Sequence, residues 1–139
     1  MIRVCDGVRT DVEDLQRVEL LWQELLDSHH TIGMLMVFTH DTPLPTAATQ
    51  RYAKQVLPRY EDTLVLSAAI LGLGFWASAF RAGLDALMRI ARGGTVAIEG
   101  TVEAAVERLT RELVGIDPAT LLEVVRELLT KLEHERLAS

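Results

Sequence analysis

Hydrophobic and polar positions divide this chain into runs that are apolar throughout and stretches with helical periodicity. The two longest apolar runs, TIGMLMVF at residues 31–38 and TLVLSAAIL at residues 63–71, predict strands that are covered on both faces. Two shorter runs, IRVCDG at residues 2–7 and TVAIEG at residues 95–100, predict a first and a last strand. The spacing of these runs leaves room for a helix after each predicted strand.

The first interval is predicted to be helical and to open with a capping box. Thr10 and Glu13 stand three residues apart, so that each side chain can bond the backbone N–H of the other residue. We expect this helix to end near His29. Its apolar residues recur at three- and four-residue spacing, as Leu15, Val18, Trp22 and Leu25.

A second and a third helix are predicted on either side of the second buried run. The second begins near Thr46 and ends near Pro58. The third extends from Phe75 to Arg92, where the sequence Arg92-Gly93-Gly94 supplies a stop signal. The inward-facing residues are predicted to be Ala48, Tyr52 and Val56 in the second helix, and Trp76, Phe80, Leu84, Leu87 and Ala91 in the third.

Two further helices are predicted after the last strand. Thr101 can cap a helix over residues 102–113. Asp117 as N-cap and Pro118 at the first helical position then begin a terminal helix.

The regular alternation of strands and helices predicts an α/β fold. We expect one domain with a mostly parallel four-stranded sheet and helices on its faces. A chain of 139 residues is long enough to bury one full core. Residues 1–116 would form this domain, and residues 117–139 an additional amphipathic helix.

Two segments of the chain carry a resemblance to a known family. CDGVRTDVEDLQRVELLWQELL at residues 5–26 and TVAIEGTVEAAVERL at residues 95–109 frame the two apolar runs. The first is similar to the strand-turn-helix opening of the STAS domain family, in particular its SpoIIAA-like branch, and the second to that family's last strand and helix. The likeness extends over residues 1–113 and implies the fold of bacterial anti-sigma factor antagonists.

This resemblance implies a binding or regulatory module rather than an enzyme. In the family's signalling members, a Ser that follows an Asp after the first long central strand is phosphorylated. Asp41-Thr42 stands at that place here, which makes Thr42 the phosphorylation candidate. The sequence departs from the family pattern because the following glycine is missing and Pro43 and Pro45 occupy the loop. The first strand of the family's usual hairpin is also absent or short.

Composition and charge narrow the classes of function. A net charge of −6 gives no basic footprint for nucleic acid. The single Cys5 cannot form an internal disulfide, which suits a reducing cytoplasm. The N-terminal sequence MIRVCDGVRT carries no secretory pattern. The uncharged run from Leu64 to Phe80 falls short of the roughly 20 apolar residues that a spanning helix needs, so no membrane insertion is expected.

The glycines after the second buried run fit the pattern G-x-G-x-x-[GA] as Gly72, Gly74 and Ala77. That pattern can hold a dinucleotide pyrophosphate at a helix N-terminus. It belongs to the first strand of its fold, however, whereas only one more strand follows here, and Phe75 and Trp76 are bulky. We therefore expect a tight strand-to-helix turn with Trp76 packed as an anchor. Another anion or small ligand at this edge stays an alternative.

The loops after the two central strands form the best site hypothesis. In an open parallel sheet, ligands bind outside the carboxyl ends of the strands, where THDTP and GLGFWAS would meet. His40 offers a titratable group there, and Thr42 and Ser78 offer hydroxyls. The candidates for ligand or partner binding are Thr39, His40, Asp41, Thr42, Gly72, Gly74, Phe75, Trp76 and Ser78.

No metal, cofactor or catalytic group is predicted. His29 and His30 are adjacent, so they point in different directions on a helix and lack the spacing of zinc ligands. Cys5 has no histidine near it in sequence. Neither a Gly-x-Ser-x-Gly elbow nor a Walker loop is present.

The terminal helix has an apolar stripe that must be covered. Its residues Leu121, Val125, Leu128 and Leu132 either pack against the helix's own domain or form the interface of a homodimer. The sequence leaves both arrangements open.

These observations favour a cytoplasmic α/β binding module, with a protein partner or small ligand recognised at residues 39–42 and 72–78. One alternative is a small nucleotide- or anion-binding enzyme that uses the same edge. A second alternative is a structural dimerisation unit in which only the terminal helix matters.

Overall fold

Strands and helices alternate through the described residues up to a final pair of consecutive helices, as the hydrophobic pattern predicts. The computed structural model describes residues 1–40, 42–90 and 96–139. Its strands are β1 (Ile2–Cys5), β2 (Ile32–Phe38), β3 (Leu64–Ile70) and β4 (Val96–Glu99). Its helices are α1 (Val12–Leu26), α2 (Ala47–Val56), α3 (Gly74–Ile90), α4 (Val102–Glu112) and α5 (Pro118–Ala138), and a 3₁₀ turn at Leu57–Tyr60 follows α2.

The four strands form one parallel sheet in the order β1-β2-β3-β4. When parallel strands follow one another in chain order through right-handed connections, every crossover helix falls on the same face of the sheet. The helices α1, α2 and α3 accordingly pack on one face. The other face is covered by α4 and α5. The predicted α/β fold with a parallel four-stranded sheet is confirmed.

Two apolar layers meet at the central strands. Met34 and Phe38 of β2 pack beneath α1, α2 and α3, whereas Leu35 and Val37 pack against the layer that contains α4 and α5. Side chains alternate between the faces of a strand, so a strand covered on both sides must be apolar at nearly every position. This burial is the physical reason that residues 31–38 lack a polar face.

The cap of α1 lies one residue later than the sequence analysis placed it. Asp11 is the N-cap, and its Oδ1 accepts from the backbone N–H of Asp14 at 2.9 Å while Asp14 Oδ2 accepts from the N–H of Asp11 at 3.1 Å. The predicted pair of Thr10 and Glu13 is therefore wrong. Thr10 is buried instead, where its hydroxyl faces Arg3. The helix ends at Leu26 rather than near His29.

The buried face of α2 also differs from the prediction. Thr49, Ala53 and Val56 are buried, whereas Ala48 is exposed. The polar Thr49 is tolerated inside because its hydroxyl pairs with that of Thr46, the N-cap, at 2.8 Å. The hydrogen bond between the two hydroxyls thus allows Thr49 to lie on the buried face, where apolar spacing alone predicts Ala48.

The third helix begins at Gly74, one residue before the predicted start. Phe80, Leu84 and Leu87 lie on its buried face as predicted. Ala91 and the stop signal Arg92-Gly93-Gly94 lie outside the described residues.

The terminal helix α5 packs on its own domain through part of its apolar stripe. Val125 has no exposed surface, and Leu121 packs beside it against α4. Leu128 is 38% exposed and Leu132 is half-buried. Val125 is therefore covered within the chain and has no surface to offer a second copy.

The uncharged run from Leu64 to Phe80 is divided between β3, a loop and the start of α3. Within the described part of the chain, none of the helices combines the length and the apolar character that crossing a bilayer requires.

A buried carboxylate joins α1 to the segment around α2. Glu19 is 8% exposed and accepts hydrogen bonds from the hydroxyls of Tyr52 at 2.7 Å and Tyr60 at 3.0 Å. The bond to Glu19 raises the pKa of Tyr52, and burial raises the pKa of Tyr60. The cluster fixes α1 against α2 and the 3₁₀ turn.

Candidate functional site

The loops that follow β1 and β2 meet at the carboxyl edge of the sheet through one buried hydroxyl. Thr42 is 1% exposed. Its Oγ1 accepts from the backbone N–H of Gly7 at 3.1 Å and lies 2.8 Å from the carbonyl oxygen of Cys5 and 2.9 Å from that of Thr39, so it donates to one of these two. Thr42 thereby ties the loop after β2 to the loop after β1.

This environment argues against Thr42 as a phosphorylation site. A kinase must reach the hydroxyl, but here the hydroxyl is buried and used by the backbone of two loops. A phosphoryl group would also bring a charge of about −1.5 to −2 into a closed space. Phosphorylation of Thr42 stays a prediction that these contacts do not favour, and we assign Thr42 a structural role.

We expect Thr42→Val to weaken the junction of the loops. Valine matches threonine in shape but removes the hydroxyl, which leaves the N–H of Gly7 and one carbonyl, that of Cys5 or of Thr39, without this partner. The free energy of unfolding should fall by about 1–3 kcal/mol. Urea unfolding measures this loss of stability. Thr42→Ser, which keeps the hydroxyl, is the control. A Thr42→Val midpoint at or above that of the serine variant would contradict the assigned role.

A second tie connects the loop after β2 to the start of α3. The indole N–H of Trp76 donates to the carbonyl oxygen of Thr42 at 3.1 Å. The Trp76 ring stands edge-on to His40 at 5.2 Å between centroids and packs on Phe80 at 5.5 Å. Trp76 is half-buried, so it anchors the loops rather than filling the centre of the core.

The two glycines before α3 are required by this turn. Gly72 has a φ of 147° and Gly74 a φ of 81°, a region that favours glycine. A Cβ at Gly72 would lie 2.8 Å from a ring carbon of Trp76 and 3.2 Å from Nδ1 of His40. Trp76 therefore fills the space over Gly72 that a pyrophosphate would need, and the structure favours the tight-turn interpretation of Gly72, Gly74 and Ala77 over a dinucleotide site.

The turn projects large apolar side chains into solvent. Leu73 is 90% exposed and Phe75 is 88% exposed. Val8, in the loop after β1, is 70% exposed and directly follows Gly7, which is bonded to Thr42. We call Val8, Leu73 and Phe75 together the apolar edge. Single exposed apolar residues are ordinary, but three on loops that are tied together form a recognisable surface feature.

A charged pair borders the apolar edge. Asp6 accepts from the hydroxyl of Thr39 at 2.5 Å and from the guanidinium of Arg136 at 2.7 Å. Arg136 belongs to the last turn of α5, so the terminal helix returns to the carboxyl edge. Sequence reasoning missed both residues. The position of Asp6 at the end of a strand was an available signal, whereas nothing local pointed to Arg136.

Not all predicted site residues come together. Thr39, His40, Thr42, Gly72 and Trp76 do, through the contacts given above. Gly74 and Phe75 adjoin them in the turn. Ser78 lies apart, in a shallow groove beside Arg81, Asp85 and Ile98 on the β4 side of α3. Asp41 lies outside the described residues.

Among the described residues, the arrangement provides fixed hydrogen bonds and apolar surface. The hydroxyls of Thr39 and Thr42 are engaged by Asp6 and by backbone. His40 is exposed and does not line the groove that contains Ser78. Within residues 1–40, 42–90 and 96–139, no three acidic, histidine or cysteine residues are grouped so as to hold a metal.

Comparison with known proteins gives no match to a family model, to a curated protein or to a solved structure. The geometry and chemistry of the carboxyl edge are therefore the basis for assigning a function.

Proposed function

We propose that this chain is a non-catalytic binding and regulatory module of STAS-like type that recognises a protein partner through the apolar edge. The observation that carries the proposal is the exposure of Leu73 and Phe75 beside Trp76, whose indole N–H ties the start of α3 to the loop after β2.

Burial of these side chains by a partner supplies binding free energy. Covering a Leu or Phe side chain contributes about 1.5–3 kcal/mol. In the folded chain Leu73 and Phe75 contribute almost none of this, because they remain in water. The free energy is available for association, and large apolar residues are frequent anchors at interfaces.

The hydrogen bonds beneath the apolar edge support a preorganised surface. Thr42 and Trp76 connect the three loops. A surface that is already ordered loses little conformational entropy when a partner binds. Tying a turn in this way while leaving its apolar side chains outside suits recognition better than it suits stability.

The remaining features of the proposal concern location and self-association. A buried, unpaired Cys5 suits a reducing cytoplasm. A homodimer would have to use α5 residues other than Val125, and Val124 and Leu128 are 41% and 38% exposed. The mass of the native protein distinguishes a monomer from a dimer.

The test compares two double variants, each of which replaces two exposed apolar side chains in a different part of the surface. Leu73→Ser/Phe75→Ser removes the two most exposed side chains of the apolar edge. Leu20→Ser/Leu21→Ser removes two exposed leucines, 59% and 47% exposed, from α1. Each tagged protein is used to capture binding proteins from its own host, and native mass spectrometry identifies and quantifies the complexes. We expect the same partner with wild type and the α1 variant, and at least about tenfold less of it with the edge variant.

Two outcomes would contradict the proposal. One is a partner that is retained by the edge variant, which would move the interface elsewhere. The other is equal loss in both double variants, which would indicate non-specific apolar association. Unchanged circular dichroism and thermal midpoints in both variants exclude unfolding as a cause.

A further inference from the structure

An apolar cavity of about 80 Å³ lies between the sheet and the helices α1, α2 and α3, away from the apolar edge. Its walls include Met34 and Met36 of β2, Met88 of α3 and Trp22 of α1. Flexible methionine side chains adapt to irregular contents. Arg3 is the one charged side chain among the described residues that line it.

Arg3 faces this cavity from the edge strand β1 without a complete set of partners. Its Nε is buried and has no hydrogen-bond partner. One terminal nitrogen lies 3.5 Å from the hydroxyl of Thr10, which is the outer limit of a hydrogen bond. Arg3 forms no ion pair with a carboxylate of the described residues. A half-buried guanidinium in this state lacks the compensation that buried charges ordinarily have.

A second residue of the cavity wall carries an unsatisfied donor. Trp22 is 5% exposed, and its indole N–H has no hydrogen-bond partner. Buried indole N–H groups usually find an acceptor. The cavity thus has apolar walls that include two residues, one of them cationic, each with a buried donor that lacks an acceptor.

We propose that this cavity is a binding site for a short aliphatic carboxylate. The carboxylate would accept from Arg3 and the alkyl chain would occupy the space between Trp22 and the methionines. Charge complementarity selects an acid over an amine, because Arg3 is the charged group at the wall. The proposal does not depend on the function of the apolar edge.

The volume of the cavity limits the length of the ligand's alkyl chain. An engineered apolar cavity of about 150 Å³ holds the six carbon atoms of benzene, so about 80 Å³ suits an alkyl chain of roughly three carbon atoms beyond the carboxylate, and a chain of five requires movement of the methionines. Butyrate and hexanoate are the probes that match this range. Hexanol and hexylamine have the same number of carbon atoms as hexanoate but carry a hydroxyl or an amine in place of the carboxylate.

The experiment is a titration of the full chain, followed by NMR of its two indole N–H signals. Trp22 lines the cavity and Trp76 does not, so Trp76 serves as an internal control. We expect butyrate or hexanoate to shift the Trp22 signal saturably. Hexanoate should bind at least about tenfold more tightly than hexanol, the factor expected for a hydrogen bond to a charged group, and hexylamine should not bind. Arg3→Met should reduce hexanoate to the affinity of hexanol, whereas Arg9→Met, at an exposed position, should leave it unchanged.

Three results would overturn the proposal. The first is no saturable Trp22 shift with either acid up to its solubility. The second is equal affinity for hexanoate and hexanol in the wild type, which would remove the role of Arg3. The third is an Arg3→Met variant that is folded, as judged by its NMR spectrum, and retains the preference for the acid.

Discussion

Replacing Phe80 by alanine is expected to lower the free energy of unfolding by about 3–5 kcal/mol. Phe80 is 2% exposed on the inner face of α3, where its ring packs on Phe38 at 4.7 Å and on Trp76 at 5.5 Å between centroids. Alanine would remove the ring and leave a cavity beneath the carboxyl edge. Because a domain is stable by only about 5–15 kcal/mol, the loss is a large part of the total.

The matched control is Phe75→Ala, five residues earlier on the same helix. Phe75 is 88% exposed, so its loss should change the free energy of unfolding by no more than about 0.5 kcal/mol. Chemical denaturation of the two variants compares them directly. Similar losses in both, or a larger loss at position 75, would show that Phe75 is covered in the free protein and would remove the basis for the apolar edge.

Replacing Glu19 by alanine is the second large effect that we expect. The change removes the acceptor of the Tyr52 and Tyr60 hydroxyls in a largely buried place. Leaving two donors unsatisfied should cost about 2–4 kcal/mol. Glu24→Ala, at an exposed position of the same helix, is the control and should change little. A Glu19→Ala protein as stable as Glu24→Ala would show that water replaces the carboxylate without cost.

Because of the same cluster, the free energy of unfolding should decrease as the pH rises into the alkaline range. The pKa values of Tyr52 and Tyr60 are raised in the folded state, so their contribution to stability is complete below the unfolded value of about 10 and is lost as the pH rises through the folded values. Urea unfolding at several pH values between 8 and 11 should show a steeper alkaline loss in wild type than in Tyr52→Phe/Tyr60→Phe. Equal slopes would contradict the role of the cluster.

The fold could be predicted because its signals are local. A strand covered on both faces must be apolar throughout, as residues 32–38 are, and helix starts such as Asp117-Pro118 carry their own caps. The wrong predictions, on the cap of α1 and the buried face of α2, also have local causes. Asp11 replaced Thr10 as the first cap because adjacent residues can both cap, and Thr49 is buried because Thr46 satisfies its hydroxyl.

The site could be predicted only in part. The carboxyl edge follows from parallel topology, so Thr39, Thr42 and the turn at Gly72 were identified. The exposure of Phe75 and the burial of Thr42 depend on how loops from distant segments pack, which periodicity does not encode. Arg136 and Asp6, 130 residues apart, meet only because α5 returns across the sheet. The unsatisfied donors of Arg3 and Trp22 likewise appear only in three dimensions.

The central claim is that the apolar edge is the surface that a partner contacts. A photoreactive amino acid placed at position 75 in the host tests it most directly, with the same group at position 20 on α1 as the control. Both positions are exposed, so neither substitution should disturb the fold. We predict a covalent adduct to one other protein from position 75 and no such adduct from position 20. The same adduct from position 20, or none from position 75, would contradict the claim, and an adduct solely to a second copy of this chain would replace partner recognition by self-association.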